Sequence, residues 1–337
     1  MSGTAVVILN WNGEKLLREF LPEVVRTTPP DAAKIYVADN GSSDGSVVLV
    51  HDLFPEVEVI ELGHNYGFAE GYNRALARID AEYFVLLNSD VRTSEGWLEP
   101  LITALKNDPA LGAVQPKILS YNFPDHFEYA GASGGFIDSL GYPFCRGRIL
   151  SYVEQDLGQY DTFRYCFWAS GACMACRREL FAAVGGFDAS FFAHMEEIDL
   201  CWRAQLFGFR IAVQPASVVY HVGGATLDSA SPRKLFLNYR NNLFMLYKNL
   251  PIRKFRLVYV MRCILDFMTA AAYFLTLRPQ LAGAILRAYR EFWHSGRRLF
   301  SEQRDFIRRN TIASPTGIYK GIIPLRYIFR RLFGYMM

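Results

Sequence analysis

Cysteine is scarce in this sequence, with six residues among 337. The cysteines stand at positions 145, 166, 173, 176, 201 and 263, mostly inside apolar runs. So few cysteines exclude the disulfide framework of a small secreted protein, and their apolar surroundings predict reduced thiols of an intracellular protein. A composition that is 51% hydrophobic and 20% charged also excludes a disordered chain. We expect a folded chain with either one large domain and an appendage or two modest domains.

The sequence also lacks an apolar run of 18 residues without a charge. The nearest candidate, residues 255–277, is interrupted by Arg256, Arg262 and Asp266, which disfavours a membrane-spanning helix without excluding it. The apolar run Ala5–Leu9 near the start of the chain has no basic flank and is too short for the apolar part of a secretory signal. We interpret it as a buried strand.

Acidic residues are almost absent from the end of the chain. Residues 251–337 contain 4 acidic and 16 basic side chains, a net charge of +12, whereas residues 1–250 contain 29 acidic and 20 basic side chains, a net charge of −9. A basic region of this kind is expected to bind a polyanion, either nucleic acid or anionic lipid headgroups. No recognised nucleic-acid-binding module stands in the sequence, which argues against nucleic acid.

Short apolar runs and amphipathic stretches alternate through the first 120 residues. The predicted strands are 4–10, 34–39, 57–62, 83–87 and about 114–119, and the predicted helices are 14–25, 46–54, 68–79 and 97–106. This alternation predicts an α/β fold with a mostly parallel sheet that helices cover on both faces. Ligands of such sheets bind beyond the carboxyl ends of the strands.

The rest of the chain divides into three parts. Residues 120–165 are rich in Gly, Tyr and Phe without a clear period, and we interpret them as a long loop beside a binding cleft. Further on, helices are predicted at 178–184, 197–208 and 232–250, and extended segments at 209–213 and 217–221. We predict a first domain over residues 1–230 and a C-terminal helical region over residues 231–337.

Polar side chains follow three of the predicted strands. Asn10 ends the first strand, Asp39 ends the second, and Asn88-Ser89-Asp90 follows the fourth. Asp90 either caps the next helix or supplies a hard oxygen ligand to Mg²⁺ or Mn²⁺ beside phosphate oxygens and water. Asp39 either closes an Asx turn or accepts a hydrogen bond from a pyrimidine or a ribose hydroxyl.

A predicted helix start at 63–73 contains three glycines. A helix N-terminus of this kind can bind phosphate, although the spacing matches neither a Walker loop nor a dinucleotide fingerprint. Asn73 lies inside that helix and is expected to bond neighbouring backbone.

Three carboxylates crowd another predicted helix start. Glu196, Glu197 and Asp199 lie within four positions, more than the favourable interaction of one acid with a helix N-terminus explains. A carboxylate held there could act as a general base if neighbouring acids raise its pKa. His221 ends the last extended segment beside Gly223-Gly224, where it is either a structural histidine or a second metal ligand.

Taken together, these segments resemble the family 2 inverting glycosyltransferases of GT-A fold, and most closely the branch of bacterial rhamnosyltransferases of O-antigen and cell-wall assembly. The resemblance spans about residues 4–225 and rests on seven strings in the same order: VVILNWNGEKLL, VADNGSSDGS, NYGFAEGYNRAL, YFVLLNSD, WASGACMACRRELFAAVGGFDASFF, EEIDLCWRAQLFGFRI and VVYH. It implies a nucleotide-sugar transferase.

The resemblance also implies roles for individual residues. Asn10 and Asp39 would hold the base and ribose of the donor. Asp90 would bind the divalent metal, Mg²⁺ or Mn²⁺, under the diphosphate, with His221 as the late metal-binding histidine. The Asp-x-Asp-like motif reads Asn88-Ser89-Asp90 here, which leaves one firm carboxylate. Asn73, Asn88 and Ser89 are assigned to donor binding as well.

The same resemblance assigns the base and the junction between donor and acceptor. Glu197 stands where the family usually has its catalytic Asp, and Glu196 and Asp199 are the alternatives. Trp168, Gly171 and Ala172 resemble the segment that lines the junction, where Trp168 either stacks on a sugar ring or caps the core. The implied mechanism is a single in-line displacement that inverts the anomeric configuration, with a base removing the proton of the acceptor hydroxyl.

The basic region fits this interpretation. Residues 259–277, 281–300 and 322–337 interleave apolar and aromatic residues with arginines, a pattern typical of helices that lie in the membrane interface. The alternatives are a helical subdomain packed on the first domain and an oligomer contact. We expect a cytoplasmic protein that is peripheral on the inner face of the plasma membrane.

The sequence thus predicts a metal-dependent inverting glycosyltransferase of cell-surface polysaccharide synthesis. Its donor would be a dTDP- or UDP-sugar, with rhamnose one candidate sugar, and its acceptor a glycan or a lipid-linked glycan. The alternatives are a UDP-hexose or UDP-N-acetylhexosamine transferase of the same fold, and a non-catalytic scaffold of a polysaccharide assembly complex.

Overall fold

Strands and helices alternate through the first 120 residues, as the sequence predicts. The computed structural model describes residues 3–128, 131–149, 151–223, 231–296 and 299–327. The elements of the first part are β1 (Thr4–Asn10), α1 (Glu14–Thr27), β2 (Lys34–Asp39), α2 (Ser46–Leu53), β3 (Glu58–Glu61), α3 (Gly67–Leu76), β4 (Tyr83–Asn88), β5 (Val91–Thr93), α4 (Leu98–Asn107) and β6 (Leu111–Ser120).

Shorter elements fill the middle of the chain. They are β7 (Gly135–Asp138), β8 (Pro143–Cys145), β9 (Arg148–Ile149), β10 (Tyr152–Val153), β11 (Arg164–Cys166), β12 (Cys173–Arg177), α5 (Arg178–Val184), a 3₁₀ turn (Ala189–Phe191), α6 (Glu196–Leu206) and β13 (Arg210–His221). The prediction of a long loop over residues 120–165 is therefore wrong. Strands β7 to β10 form a small antiparallel meander, whose strands of two to four residues are too short to show a period in the sequence.

The central sheet has the strand order β11-β13-β6-β12-β4-β1-β2-β3, and β5 pairs with the end of β13. Strands β1 to β4 are mutually parallel, and β6 and β13 run the same way. Strand β12 lies antiparallel between β4 and β6. The carboxyl ends of β1, β2 and β4 therefore meet at one edge, where Asn10 pairs in register with Asp39 and Leu9 with Asn88.

Both faces of this sheet are buried. In β1, Val6 and Ile8 belong to the core on one side, and Ala5 and Val7 belong to the core on the other side. A strand that is buried on both faces carries a continuous apolar run instead of an alternating one. The six cysteines are free thiols and five of them are buried, in agreement with the expectation of reduced thiols.

Strand β13 replaces the two extended segments predicted at 209–213 and 217–221. Its pairing with β6 skips from Gln214 to Val218, so the chain bulges at Pro215 and then continues in the same strand. Proline has no N–H to donate to the neighbouring strand, which explains the interruption. The bulge keeps His221 in line with β6 and beside β5.

The C-terminal region is helical and packs on the first part of the chain. It contains α7 (Pro232–Asn249), α8 (Ile252–Leu275), α9 (Pro279–Glu291) with a π-helical turn after it (Phe292–Gly296), α10 (Ser301–Asn310) and β14 (Ile318–Tyr319). Helix α7 contacts α6, and β14 pairs in parallel with β7. The division at residue 230 stays a prediction, and most of the helix predicted at 322–337 lies outside the described residues.

Helix α8 is long and apolar enough to cross a membrane by length and composition. Its 24 residues include an 18-residue window of mean hydropathy 1.5, of which 22% is buried inside the protein. The expected interruption by charge is present, since Arg262 and Asp266 lie in this helix.

Candidate active site

The carboxyl ends of β1 and β2 form a buried polar cluster. Asn10 donates from Nδ2 to Asp39 Oδ1 at 3.2 Å and to Ser42 Oγ at 3.3 Å, while the Ser42 N–H donates to Asp39 Oδ2 at 2.9 Å. Asn10 and Asp39 are 1% and 4% exposed. The Oδ1 atom of Asn10 is buried and has no hydrogen-bond partner within the described parts of the chain. This unsatisfied acceptor is suited to a donor group of a bound ligand.

The N-terminus of α3 is occupied by the protein itself. The Gly67 N–H donates to Asn65 Oδ1 at 2.9 Å, and the Phe68 N–H donates to the Phe192 carbonyl at 2.8 Å. Gly67 has a φ of +76°, and a Cβ there would lie 2.6 Å from the Phe192 ring. The suggestion that this helix start binds phosphate is therefore not supported. The Gly67 and Phe68 N–H groups, which belong to the first turn of the helix, already have acceptors in the protein.

The end of β4 faces the end of β13. His221 Nε2 lies 3.1 Å from Asp90 Oδ1, His221 Nδ1 lies 3.2 Å from Glu128 Oε2, and Asn88 Nδ2 lies 3.4 Å from His221 Nε2. The pairing of β5 with β13 and a hydrogen bond from the Val222 N–H to the Asp90 carbonyl hold the two strand ends together. Burial alone would lower the pKa of His221, but the hydrogen bonds to Asp90 and Glu128 outweigh it and raise the pKa to about 10.

The geometry of Asp90 and His221 fits two adjacent ligands of an octahedral cation. Two ligands at 2.0–2.1 Å and a right angle stand about 3 Å apart, and the carboxylate oxygen and the imidazole nitrogen are 3.1 Å apart. Glu128 on the opposite ring nitrogen would direct the lone pair of Nε2 toward that cation. The described residues contain no group of three or more His, Cys, Asp or Glu side chains that could hold a metal. Phosphate oxygens and water would therefore complete the coordination.

The candidate base lies at the start of α6. Glu196 is buried and Glu197 half-buried, and the Oε2 atom of each is buried without a hydrogen-bond partner in the described chain. Burial raises the pKa of Glu197 to about 7. Burial and the neighbouring Glu197 hold the pKa of Glu196 well above its usual range. At neutral pH, Glu197 is thus poised between its acid and base forms, as a general base requires.

A strained segment leads into this helix. Phe192, His194 and Met195 have φ values of +62°, +71° and +72°, a conformation that residues with a Cβ rarely adopt. Asn241 of α7 holds the segment in place, because its Nδ2 lies 3.0 Å from the Phe191 carbonyl, 2.8 Å from the Ala193 carbonyl and 2.7 Å from the His194 carbonyl. Backbone strain of this kind persists where the surroundings over-determine it, frequently at active sites.

The Gly171–Ala172 segment connects the metal end with the acid pair. The Asn88 N–H donates to the Ala172 carbonyl at 3.0 Å. A Cβ on Gly171 would lie 3.2 Å from the Phe68 ring and 3.8 Å from the Glu197 Cβ. A side chain at position 171 would therefore contact both Phe68 and Glu197. On the side of Asn10, the Ser89 Oγ lies 3.8 Å from where a Cβ of Gly13 would stand.

Three of the predicted site residues use their polar groups for packing. Asp199 pairs with Arg203 and Lys248 at 2.9 Å each and accepts from Asn249 at 2.8 Å. Burial alone would raise the pKa of Asp199, but the charges of Lys248 and Arg203 outweigh it and hold the pKa below its usual range. A carboxylate held in this way positions α6 and is unsuited to accept a proton.

Asn73 and Trp168 have similar structural roles. The amide of Asn73 donates to the Phe187 carbonyl and accepts from the Phe187 N–H, both at 2.9 Å. The Trp168 indole donates to the Phe136 carbonyl at 3.0 Å, and the side chain is 5% exposed. Of the two alternatives for Trp168, the structure therefore favours the core. Both side chains therefore hold neighbouring backbone in place.

Two residues of the site escape sequence reasoning. Glu128 stands in a segment without a period, so nothing in the sequence points to its contact with His221. Asn241 carries a weak signal, because it and Asn242 are neighbouring amides in an otherwise apolar stretch of α7. Such a pair inside a helix indicates buried polar contacts.

Comparison with known proteins identifies the family. Residues 5–185 match the family model described as Glycosyl transferase family 2. Over 234 residues the chain is 29% identical to N-acetylglucosaminyl-diphospho-decaprenol L-rhamnosyltransferase of Mycobacterium tuberculosis, a match that covers 64% of this chain and 75% of that protein.

Solved structures share the fold. GalNAc-T7 with UDP, GalNAc and Mn²⁺ superposes with a TM-score of 0.58 at 16% identity, covering 74% of this chain and 48% of that chain. Residues 1–349 of S. aureus TarS in complex with UDP-GlcNAc superpose with a TM-score of 0.57 at 15% identity, covering 91% of this chain and 87% of that chain. Since the family model covers more than half of the sequence and the fold agrees, this chain belongs to glycosyl transferase family 2 and is a glycosyltransferase of GT-A fold.

Proposed function

We propose that this glycosyltransferase moves a sugar from a nucleotide diphosphate to a glycan or lipid-linked acceptor, with inversion at the anomeric carbon and with the help of Mg²⁺ or Mn²⁺. The observation that supports this most strongly is the pairing of Asp90 with His221, whose Oδ1 and Nε2 atoms lie 3.1 Å apart. Glu197, a carboxylate of raised pKa, lies near Gly171, and the next residue, Ala172, accepts at its carbonyl from the Asn88 N–H.

Each group of residues has its own role in the proposed transfer. Asn10 and Asp39 bind the base and ribose of the donor at the end of β1 and β2. Asp90 and His221 hold the cation, which would stabilise the negative charge that builds on the leaving diphosphate. Glu197 takes the proton of the acceptor hydroxyl as its oxygen attacks the anomeric carbon, while burial and the charge of Glu197 raise the pKa of Glu196 and favour its protonated form.

The similarity to N-acetylglucosaminyl-diphospho-decaprenol L-rhamnosyltransferase supports rhamnose as the first candidate sugar and a lipid-linked acceptor. The donor would then be the dTDP-sugar of the sequence analysis. The similarity in fold to TarS with UDP-GlcNAc and to GalNAc-T7 with UDP and Mn²⁺ supports the second candidate, a UDP-hexose or UDP-N-acetylhexosamine donor. With a lipid-linked acceptor, the enzyme would act at the inner face of the plasma membrane in the synthesis of cell-surface polysaccharide. The basic C-terminal region would then lie against the lipid.

Nucleotide binding with and without the metal tests this function. Calorimetric titration of the full chain with UDP, dTDP and GDP should show one nucleotide that binds at least about tenfold more tightly with Mn²⁺ than without it. Asp90→Ala should remove the metal effect, because a ligand of the cation is lost. Asp80→Ala, a change of the same type at an exposed aspartate that pairs with Arg178, is the control and should behave as the wild type.

Two results would contradict the proposal. One is the same metal-dependent affinity in Asp90→Ala and in the wild type. The other is the absence of binding by all three nucleotides, which would instead favour a non-catalytic scaffold.

A further inference from the structure

Beyond its basic N-terminal end, helix α8 carries its two remaining charged residues on the face that turns toward the protein. Arg262 and Asp266 are 2% and 1% exposed and form an ion pair at 3.0 Å. Tyr142 donates to Asp266 Oδ1 at 2.6 Å, and Tyr289 of α9 donates to Asp266 Oδ2 at 2.7 Å. Arg262 also contacts Asn242 of α7. The polar groups of the helix are thus satisfied inside the protein.

The opposite face of α8 and the turn after it are apolar and exposed. Their large apolar side chains are between 37% and 89% exposed, and they are Leu257, Val260, Met261, Ile264, Phe267, Met268, Phe274, Leu275 and Leu277. No charged residue between Arg256 and Arg278 is exposed. This uncharged surface, which we call the α8 outer face, is 21 residues or about 31 Å long at the rise of an α-helix. Contiguous apolar patches of this kind mark interaction sites.

Basic residues stand at both ends of the α8 outer face. Arg253, Lys254 and Arg256 lie at its start, and Arg278 lies just after its end. None of these four side chains forms an ion pair in the described part of the chain. Arg287 and Arg290 of α9 are likewise exposed and have no ion-pair partner there. The surface therefore pairs an apolar strip with unneutralised positive charge.

We propose that the α8 outer face is the surface by which this protein binds an anionic lipid bilayer, with the helix lying along the boundary of headgroups and acyl chains. The proposal rests on the proposed function in so far as a lipid-linked acceptor gives the enzyme a reason to be there. The apolar strip enters the boundary, and the flanking arginines and lysine remain at the phosphate level.

The inner face of the helix excludes the spanning arrangement. A spanning α8 would carry its middle turns into the hydrocarbon, together with the Arg262–Asp266 pair and the contacting Tyr142. Tyr142 belongs to the turn between β7 and β8, so a part of the β-structure with its backbone groups would enter as well, which lipid does not tolerate. A helix in the plane of the interface keeps these groups on the water side.

A second copy of the chain is the competing occupant, and charge disfavours it. Both ends of the α8 outer face are basic, so two such helices packed side by side in either direction would bring cations together. An anionic membrane neutralises both ends at once.

Flotation with lipid vesicles tests the proposal on the full chain. The wild type should float with vesicles of phosphatidylcholine and phosphatidylglycerol, and at least about tenfold less with phosphatidylcholine alone. Ile264→Glu with Met268→Glu should lower flotation with the anionic vesicles at least about tenfold. Val48→Glu with Leu53→Glu changes two equally exposed apolar residues of α2 and should have no effect.

Binding of the nucleotide, measured on the same variants, should be unchanged in all of them. This readout separates the proposal from the proposed function, because the site can bind its donor whether or not α8 binds lipid. Wild-type flotation by the Ile264→Glu, Met268→Glu variant would overturn the proposal. Light scattering that shows a dimer of the wild type and a monomer of this variant would also overturn it. So would wild-type protein that stays with membranes during alkaline carbonate extraction, as a membrane-spanning protein does.

Discussion

Glu196 and Glu197 are neighbouring carboxylates at the start of α6, and at the scale of single residues the proposed chemistry depends on their ionisation. The charge of Glu197 and burial raise the pKa of Glu196, whereas burial is the main cause of the raised pKa of Glu197. Burial, with a smaller contribution from the charge of Glu197, raises the pKa of the Cys201 and Cys145 thiols. Both thiols therefore stay uncharged at neutral pH. His194, whose pKa burial lowers to about 4, is uncharged at neutral pH. Glu197 is therefore the group of this cluster that titrates near neutrality.

The dependence of the rate on pH follows from this. A base works when it is deprotonated, so kcat should rise with pH and level off above a pKa of about 7. Glu196→Gln should keep that acidic limb near pH 7, since burial and the charge of Glu197 raise the pKa of Glu196 and favour its uncharged form, which Gln imitates. Initial rates from pH 5 to 9 at saturating donor measure it. A rate that is flat over this range, or a limb that Glu196→Gln moves by a full pH unit, would contradict the assignment.

Asn241 provides a second prediction at this scale. Asn241→Ala removes the amide whose two N–H groups are shared among three carbonyls of the segment before Glu196. We expect kcat to fall by at least about tenfold while KM for the donor changes less than twofold, because the base is displaced and the donor site is not.

The control for Asn241→Ala is Asn242→Ala. It is the next residue of α7 and donates to the Gly141 carbonyl at 2.7 Å, away from the acid pair. Because its Oδ1 also accepts from the buried Arg262, Asn242→Ala should lower the free energy of unfolding by at least about 1–3 kcal/mol, as much as Asn241→Ala or more, and leave kcat near the wild-type value. Equal losses of kcat in the two variants would show that Asn241 acts on stability alone.

At the scale of elements, the sequence predicts strands better than contacts between them. Strands β1 and β2 match their predicted bounds. Each is an apolar run that ends in a polar residue, Asn10 or Asp39, a pattern typical of a buried strand. The wrong predictions have local causes: Pro215 bulges one long strand, and the short strands β7 to β10 have no period. The N-terminus of α3 looked free in sequence, but the Phe192 carbonyl, more than 120 residues away, fills it.

The link between α6 and α7 is an element-scale contact that no pattern in the sequence reveals. Lys248 of α7 lies 2.5 Å from Asp188 and 2.9 Å from Asp199, and all three side chains are almost fully buried. Lys248→Met would leave both aspartates buried without this partner. We expect the free energy of unfolding in urea to fall by about 3–5 kcal/mol.

Arg178→Met is the comparison for this change. Its partner Asp80 is exposed, and exposed pairs contribute about 1 kcal/mol or less. If Lys248→Met costs no more than Arg178→Met, the buried link does not hold α7 on the first part of the chain.

At the scale of the whole molecule, the sequence alone shows that the first part of the chain is acidic and the C-terminal region basic. The structure changes how this distribution of charge is interpreted. Arg262 belongs to the stretch 259–277 that the sequence assigns to the membrane interface, yet its side chain lies inside the protein beside Asp266. The periodicity of α8 shows which residues share a face, but only the packing of α7 and α9 shows which face is covered. For the same reason the roles of Trp168 and Asp199 could not be read from the motifs in which they stand.

The two halves of the site come from segments far apart in the chain. The family match ends at residue 185, before Glu197 and His221. His221 lies beside Asp90 at the end of β13, and Glu197 lies near Gly171 at the start of α6. We propose that the cation site and this base act on one bound donor and that the base performs the transfer.

Release of the nucleoside diphosphate by Glu197→Gln tests this claim most directly. With the full chain saturated with its nucleotide sugar, acceptor and Mn²⁺, we predict that Glu197→Gln binds the nucleotide as the wild type does and releases the diphosphate at least about 100-fold more slowly. Release at the wild-type rate would contradict the account.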